Sequence, residues 1–141
     1  MKKLWMKFAV VCLAFCTLVA TLCFVACGEK HADGDAVAEE GLLVVTVTEA
    51  DVGATLKDAM RVMQSNGELT FTDDGTGMIT GINGYAPTGN EFWALYTSCA
   101  DYVMSGYGIV YDGVTYDSAT LGYASLPAIV GETYIWKIST W

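Results

Sequence analysis

Basic residues are scarce in this chain. Its 141 residues include seven Lys and Arg, one His and sixteen Asp and Glu. Three of the lysines precede residue 8, so the chain after residue 26 has four basic residues against sixteen acidic ones, a formal charge of −12. Nucleic acids and anionic lipid headgroups bind clustered Lys and Arg. We therefore expect no nucleic-acid partner and no membrane contact through a basic surface.

Residues that usually carry catalysis are also few. No histidine follows His31, and Cys99 is the only cysteine after Cys27. A nucleophile with an adjacent base is therefore lacking, and the glycines are scattered rather than gathered into a phosphate-binding loop. Acidic residues such as Asp73, Asp112 and Asp117 lie at predicted turns, where solvation explains them. We predict that the protein is not an enzyme and has no catalytic residues.

The lone Cys99 also limits cross-linking. A single thiol can form neither an intramolecular disulfide nor a cysteine-based zinc site. His31 lies near Asp33 and Asp35, but an acidic spacer explains these residues without a metal. Asp73 and Asp74 lack the spacing of a calcium-binding EF-hand loop. The sequence therefore predicts no metal site.

The amino-terminal segment has the three regions of a secretory signal. Lys2, Lys3 and Lys7 precede nineteen uncharged residues, 8–26, which end in Phe24-Val25-Ala26-Cys27-Gly28. This ending resembles the lipobox of bacterial lipoproteins, in which a lipidated cysteine becomes the mature amino terminus. The resemblance implies a signal peptide over 1–26, lipid attachment at Cys27 and anchoring on the extracytoplasmic face of the membrane. An uncleaved membrane-spanning helix is the alternative, because nineteen apolar residues cross roughly 30 Å of hydrocarbon.

Composition then divides the mature chain in two. Residues 28–41 are charged and short of large apolar side chains, so we expect 27–41 to be the lipidated cysteine and a flexible acidic tether. Residues 42–141 should form one domain. Its first strand is predicted over 42–48, where Leu43, Val45 and Val47 alternate with more polar residues.

A helix is predicted next, followed mainly by strands. Thr55 and Asp58 have the spacing of a capping box, and an apolar stripe follows them at Leu56, Ala59, Met60 and Met63. Asn66-Gly67 indicates the end of the helix. Strands are predicted over 69–72 and 78–82, 92–97, 109–111 and 114–116, and 133–141, with Asp112-Gly113 as a type I′ turn. The fold class is therefore α+β, a small mixed or antiparallel sheet with one helix packed across it.

The strand over 92–97 is apolar on both faces. Trp93 and Leu95 occupy one face, and Phe92, Ala94 and Tyr96 occupy the other. A strand of this kind lies in the centre of a sheet or turns one face to a ligand, and the pattern leaves both open.

The ordered set of motifs from Val44 to Trp141 resembles the carboxy-terminal β domain of the transcobalamin and intrinsic factor proteins, and its bacterial surface-protein relatives. The matching pieces are Gly53-Ala54-Thr55-Leu56, Gly77-Met78-Ile79-Thr80-Gly81-Ile82-Asn83-Gly84, Phe92-Trp93-Ala94-Leu95 and Gly131-Glu132-Thr133-Tyr134-Ile135. In the vertebrate carriers this domain covers one side of cobalamin. The resemblance implies corrinoid contacts at Trp93 and Leu95, with rim contacts from Asn83, Gly84, Tyr85, Gly122 and Tyr123. Residues 99–121 are an insertion relative to those carriers.

Two functions follow as expectations. The first is a lipid-anchored module that contributes to corrinoid capture, with a partner that completes the site, because the sequence holds no counterpart of the carriers' helical barrel. The second is a non-catalytic adhesion or interaction module of the cell envelope that contacts a partner protein through tyrosines 102, 107, 111, 116 and 123. Packing of these tyrosines on the sheet is the alternative to both. No cofactor is certain, and cobalamin is the possible ligand.

Overall fold

We describe residues 36–141 in a computed structural model of the chain. They contain eight strands, one α-helix and a short 3₁₀ turn. In chain order these are β1 (Ala36–Glu39), β2 (Leu42–Thr46), α1 (Leu56–Ser65), β3 (Phe71–Asp73), β4 (Ile79–Ile82), β5 (Glu91–Thr97), the 3₁₀ turn (Ala100–Tyr102), β6 (Val103–Tyr111), β7 (Val114–Ala119) and β8 (Thr133–Thr140). The predicted signal peptide, Cys27 and His31 lie outside these residues. Within 36–141, no helix combines the length and apolar character needed to cross a membrane.

Six strands form one antiparallel sheet in the order β1-β2-β8-β5-β7-β6. The strands β3 and β4 pair only with each other, as a separate hairpin. This arrangement confirms the predicted α+β class and the antiparallel form of the sheet. Of the two positions that the sequence left open for residues 92–97, the structure shows the central one, because β5 lies between β8 and β7.

The core lies on one face of the sheet, where α1 covers it. Strand registers bring Leu43 opposite Trp136 and Trp136 opposite Leu95. The predicted helix stripe is fully buried in the same cluster, together with Val45, Val47, Trp93, Tyr123 and Tyr134. Burial of such side chains is the main favourable contribution to folding. It therefore determines which side chains of each strand face the core and which face away from it.

The helix begins as predicted. The Thr55 hydroxyl accepts a hydrogen bond from the Asp58 backbone N–H (3.3 Å), and the Asp58 carboxylate accepts one from the Thr55 backbone N–H (3.1 Å). These reciprocal bonds satisfy donors that the first helical turn leaves free. The helix ends at Ser65 with Asn66 as its C-cap, and Gly67 has a φ of +81°, which favours glycine.

One boundary prediction is wrong. The predicted tether extends to Gly41, but Ala36–Glu39 forms β1 and pairs with β2, and Gly41 lies in the connecting turn. The acidic composition of this segment did not indicate a strand, although it contains the short apolar run Ala36-Val37-Ala38. The run becomes a strand because its backbone forms hydrogen bonds with the edge of β2. The domain therefore includes residues from Ala36 onward. The part of the predicted tether before Ala36 lies outside the described residues.

The capping box generates the first prediction. Thr55→Ala removes the hydroxyl that accepts from Asp58, so we expect the free energy of unfolding to fall by about 0.5–2 kcal/mol. Urea denaturation followed by circular dichroism measures it. Thr70→Ala, at an exposed threonine outside the helix, is the control and should change stability by less than about 0.5 kcal/mol. Equal effects of the two substitutions would contradict the role assigned to the cap.

Candidate binding site

The core face of β5 and β8 ends in a pocket of about 300 Å³. Strand β5 contributes Trp93 and Leu95, β8 contributes Trp136, and the end of β7 and the segment after it contribute the opposite wall. The full lining is Gly77, Met78, Ile79, Phe92, Trp93, Ala94, Leu95, Ser118, Ala119, Thr120, Leu121, Gly122, Tyr123 and Trp136. We call this the tryptophan pocket.

The tryptophan pocket carries no formally charged side chain. Its polar groups are the Ser118 and Thr120 hydroxyls, the Tyr123 phenol and the two indoles. Burial, together with the bond to Asp73, raises the pKa of Tyr123, so the phenol stays neutral. The lining therefore offers a ligand mainly apolar and aromatic surface, with hydroxyl groups for hydrogen bonds.

Both indoles hold an unpartnered donor. Trp93 and Trp136 are almost fully buried, and neither indole N–H has a hydrogen-bond partner among the residues described. Leaving a buried donor without an acceptor costs about 1–3 kcal/mol. Most buried polar groups in proteins are satisfied, so two unsatisfied donors in the lining of one pocket are unusual.

Tyr123 joins the pocket to the rest of the domain. Its hydroxyl donates to the Asp73 carboxylate, which also accepts from the Lys57 ammonium at 2.5 Å. The Lys57 nitrogen lies 5.4 Å from the centre of the Tyr123 ring, and that ring meets Trp136 edge-on with centroids 5.6 Å apart. Lys57 and Asp73 form the one ion pair within residues 36–141. These contacts hold α1, the β3–β4 hairpin and the segment after β7 together.

The predicted site residues fall into two groups. Trp93, Leu95, Gly122 and Tyr123 all line the tryptophan pocket. Tyr123 is fully buried and supports the wall of the pocket, whereas Gly122 is exposed.

Asn83, Gly84 and Tyr85 do not line the tryptophan pocket, which corrects the expectation of one shared site. They border a second depression of about 290 Å³ beside Gln64, Thr70, Phe71, Thr72, Gly81 and Ala86. Asn83 has a structural task, because its side-chain oxygen accepts from the Thr70 N–H at 2.8 Å and its φ is +48°. Tyr85 touches the tryptophan pocket only indirectly, through an edge-on contact with Trp93 at 5.9 Å.

Trp136 and residues 118–121 are the part of the lining that the sequence analysis missed. The alternation of Tyr134, Trp136 and Ile138 already showed which side chains share a face. Pairing of β8 with β5, which places Trp136 opposite Leu95, was not deducible from that alternation. Residues 118–121 lie within the stretch taken as an insertion, and long-range pairing of β7 with β5 brings them to the pocket.

The acidic residues predicted at turns lie in different settings. Asp112 lies in the turn between β6 and β7, but Asp73 is the last residue of β3 and Asp117 lies within β7, so the turn prediction is wrong for these two. The turn after β3 is built around Asp74. Asp74 accepts hydrogen bonds from the Thr76 N–H (2.8 Å), the Thr76 hydroxyl (2.8 Å) and the Met78 N–H (3.1 Å), which lowers its pKa. Among the described residues, no three His, Cys, Asp or Glu side chains are close enough to hold a metal ion. Cys99 is buried, and burial raises the pKa of its thiol, so it is a poor nucleophile.

Comparison with known proteins adds no assignment. The chain matches no protein-family model, no curated protein and no solved structure.

The Asp73 contacts generate the second prediction. The Lys57 ammonium and the Tyr123 hydroxyl lower the pKa of Asp73 from 3.8 to about 2. A carboxylate with a depressed folded-state pKa stabilises the protein above its unfolded pKa, and that stabilisation is lost as the pH falls to the folded-state value. We therefore expect Asp73→Asn to reduce stability most at about pH 6, with the difference from wild type shrinking between about pH 4 and pH 2.

Urea unfolding across that pH range tests this expectation. Asp112→Asn is the matched control, because Asp112 lies in an exposed turn and makes no ion pair among the described residues. A difference between wild type and Asp73→Asn that does not change with pH would contradict the assigned role of Asp73.

Proposed function

We propose that this protein is a lipid-anchored, extracytoplasmic binding protein whose domain holds a neutral, planar and largely apolar small molecule in the tryptophan pocket. A corrinoid is the first candidate ligand. The observation that carries the proposal is the contrast between the pocket and the domain around it. Residues 36–141 have three basic and thirteen acidic side chains, a formal charge of −10, yet the pocket lining has no formally charged group.

The two tryptophans support a planar ligand. Aromatic faces stack on planar ligands, and Trp93 and Trp136 both line the pocket. Corrinoids combine a flat macrocycle with peripheral amides. The resemblance of residues 44–141 to the transcobalamin β domain supports the same ligand class.

The size of the pocket supports a shared site. Its volume of about 300 Å³ lies at the lower end for small-molecule sites, and good sites bury most of the ligand. A macrocycle would place one edge or face here and leave the other exposed. We therefore propose that a partner in the envelope completes the site and that the isolated chain binds weakly.

Anchoring through Cys27 is the third prediction. A palmitate analogue fed to cells should label the wild-type protein, while Cys27→Ser should lose the label and retain its full-length mass. Cys23→Ser is the control and should label as wild type does, because Leu22 is too large for the small-residue position that Ala26 occupies. An unlabelled wild-type protein of unchanged mass would contradict the lipoprotein assignment and favour a membrane-spanning leader.

Ligand binding is the fourth prediction. The full chain in mild detergent should bind cobalamin or cobinamide with a dissociation constant in the micromolar range, measured by equilibrium dialysis. Gly122→Phe should weaken binding about tenfold or more. A side chain at Gly122 enters open space beside the pocket, and the backbone there needs no positive φ.

Ser125→Phe is the matched control for the Gly122 variant. It adds the same bulk at an exposed position of the same segment but outside the pocket lining, so its affinity should equal that of wild type. Absence of binding to either corrinoid at high micromolar concentration would contradict stand-alone capture. Equal binding by wild type and Gly122→Phe would contradict the assigned pocket.

A second candidate function is protein interaction in the envelope. Of the five tyrosines expected to contact a partner, Tyr123 is buried and Tyr102 packs against the core. Tyr107, Tyr111 and Tyr116 lie on β6 and β7, and Tyr107 is 68% exposed. The observation that favours this candidate is therefore confined to the β6–β7 hairpin.

A further inference from the structure

The β6–β7 hairpin extends past the end of the sheet. Strand β7 pairs with β5 only at Ser118 and Asp117, whereas it pairs with β6 as far as the turn at Asp112-Gly113. Residues 108–117, which we call the arm, therefore form a two-stranded ribbon with no third strand beyond its base at Asp117. Isolated two-stranded ribbons are marginally stable in water.

The arm is apolar and open. Val110 is 72% exposed and Val114 is 51% exposed, and Tyr111 meets Tyr116 edge-on at 6.5 Å. Its charged side chains are Asp112 at the tip and Asp117 at the base. Exposed apolar surface of this kind in a soluble domain commonly marks an interaction site.

The outer edge of β6 has free backbone groups. The φ values of Asp112 (+48°) and Gly113 (+76°) are those of a type I′ turn, in which the flanking pair Tyr111 and Val114 exchanges hydrogen bonds. Bonded and non-bonded pairs alternate along an antiparallel ladder, so the N–H and C=O groups of Val110 and Gly108 point away from β7. No other segment of residues 36–141 bonds to the backbone of 108–111.

The two edge strands of the sheet, β1 and β6, differ in how open they are to pairing with another chain. β1 has only four residues, and short edge strands resist pairing with other chains. β6 has nine residues and no charge, and an irregularity between Met104 and Gly108 leaves its outer half as a regular strand. The β6 edge therefore lacks most of the features that prevent strand addition.

We propose that the arm binds a partner protein by strand addition, pairing its Gly108–Tyr111 edge with an extended segment of alternating apolar and basic residues. The charge of the domain selects this partner. With a formal charge of −10 over 36–141 and only acidic charges on the arm, the domain attracts a cationic segment and repels a second copy of itself. Backbone pairing would supply affinity. Val110 would contact side chains on one face of the added strand, and Ile109 and Tyr111 would contact those on the other. This inference is independent of the ligand proposed for the tryptophan pocket.

A proline substitution at Val110 tests the proposal. Val110→Pro removes an N–H that β7 does not use, and proline is tolerated at edge positions of this kind. Val110→Thr keeps the N–H and is the matched control. The probe is a fluorescent synthetic peptide of alternating valine and lysine, measured by anisotropy with the full chain in mild detergent. We expect Val110→Pro to weaken binding about tenfold and Val110→Thr to stay within about threefold of wild type.

Amide hydrogen exchange provides a measurement that does not depend on the variant's folding. Adding the valine–lysine peptide to the wild-type chain should slow exchange at Gly108 and Val110, because their N–H groups become bonded, while Ile109 and Tyr111 are already protected. Equal affinity of Val110→Pro and wild type would overturn the proposal, as would unchanged exchange at Gly108 and Val110. Equally tight binding of a valine–glutamate peptide would overturn the proposal that the partner segment is cationic. Protection of both amides by self-association alone would overturn it as well.

Discussion

The buried side chain of Tyr123 is the point where three parts of the domain meet. Its hydroxyl bonds to Asp73 of the β3–β4 hairpin, its ring contacts Trp136 of the main sheet, and its backbone carbonyl accepts from the Lys57 N–H of α1 at 3.0 Å. Satisfied polar contacts inside a core specify one arrangement of the elements around it. Tyr123 forms part of the wall of the tryptophan pocket, so the shape of the pocket depends on these three contacts.

The two charged partners of Tyr123 do not line the tryptophan pocket. Asp73 and Lys57 neutralise each other beside the Tyr123 hydroxyl, and the phenol stays protonated. A strongly acidic domain thereby keeps a neutral, aromatic surface between Trp93 and Trp136.

Local patterns predicted the elements but not their long-range pairing. The capping box at Thr55, the buried stripe of α1 and the Asp112-Gly113 turn were all deducible, because each depends on residues within one or two turns of chain. The pocket depends on β5 pairing with β8 and β7, and no short-range signal reports that pairing. For the same reason the strand at Ala36–Glu39 was missed, since its partner β2, rather than its composition, makes it a strand.

Pocket and arm occupy neighbouring regions, because residues 118–121 line the pocket and directly follow the arm. The most direct test of the account is nuclear magnetic resonance of the tryptophan indole N–H groups in the full chain while cobinamide is added. We predict that the Trp93 and Trp136 signals shift with ligand concentration, because both indoles line the pocket. The Trp141 signal should shift less, because this indole lies outside the lining and meets it only by stacking on Phe92. Shifts confined to Trp141, or no shift at saturating ligand, would contradict it.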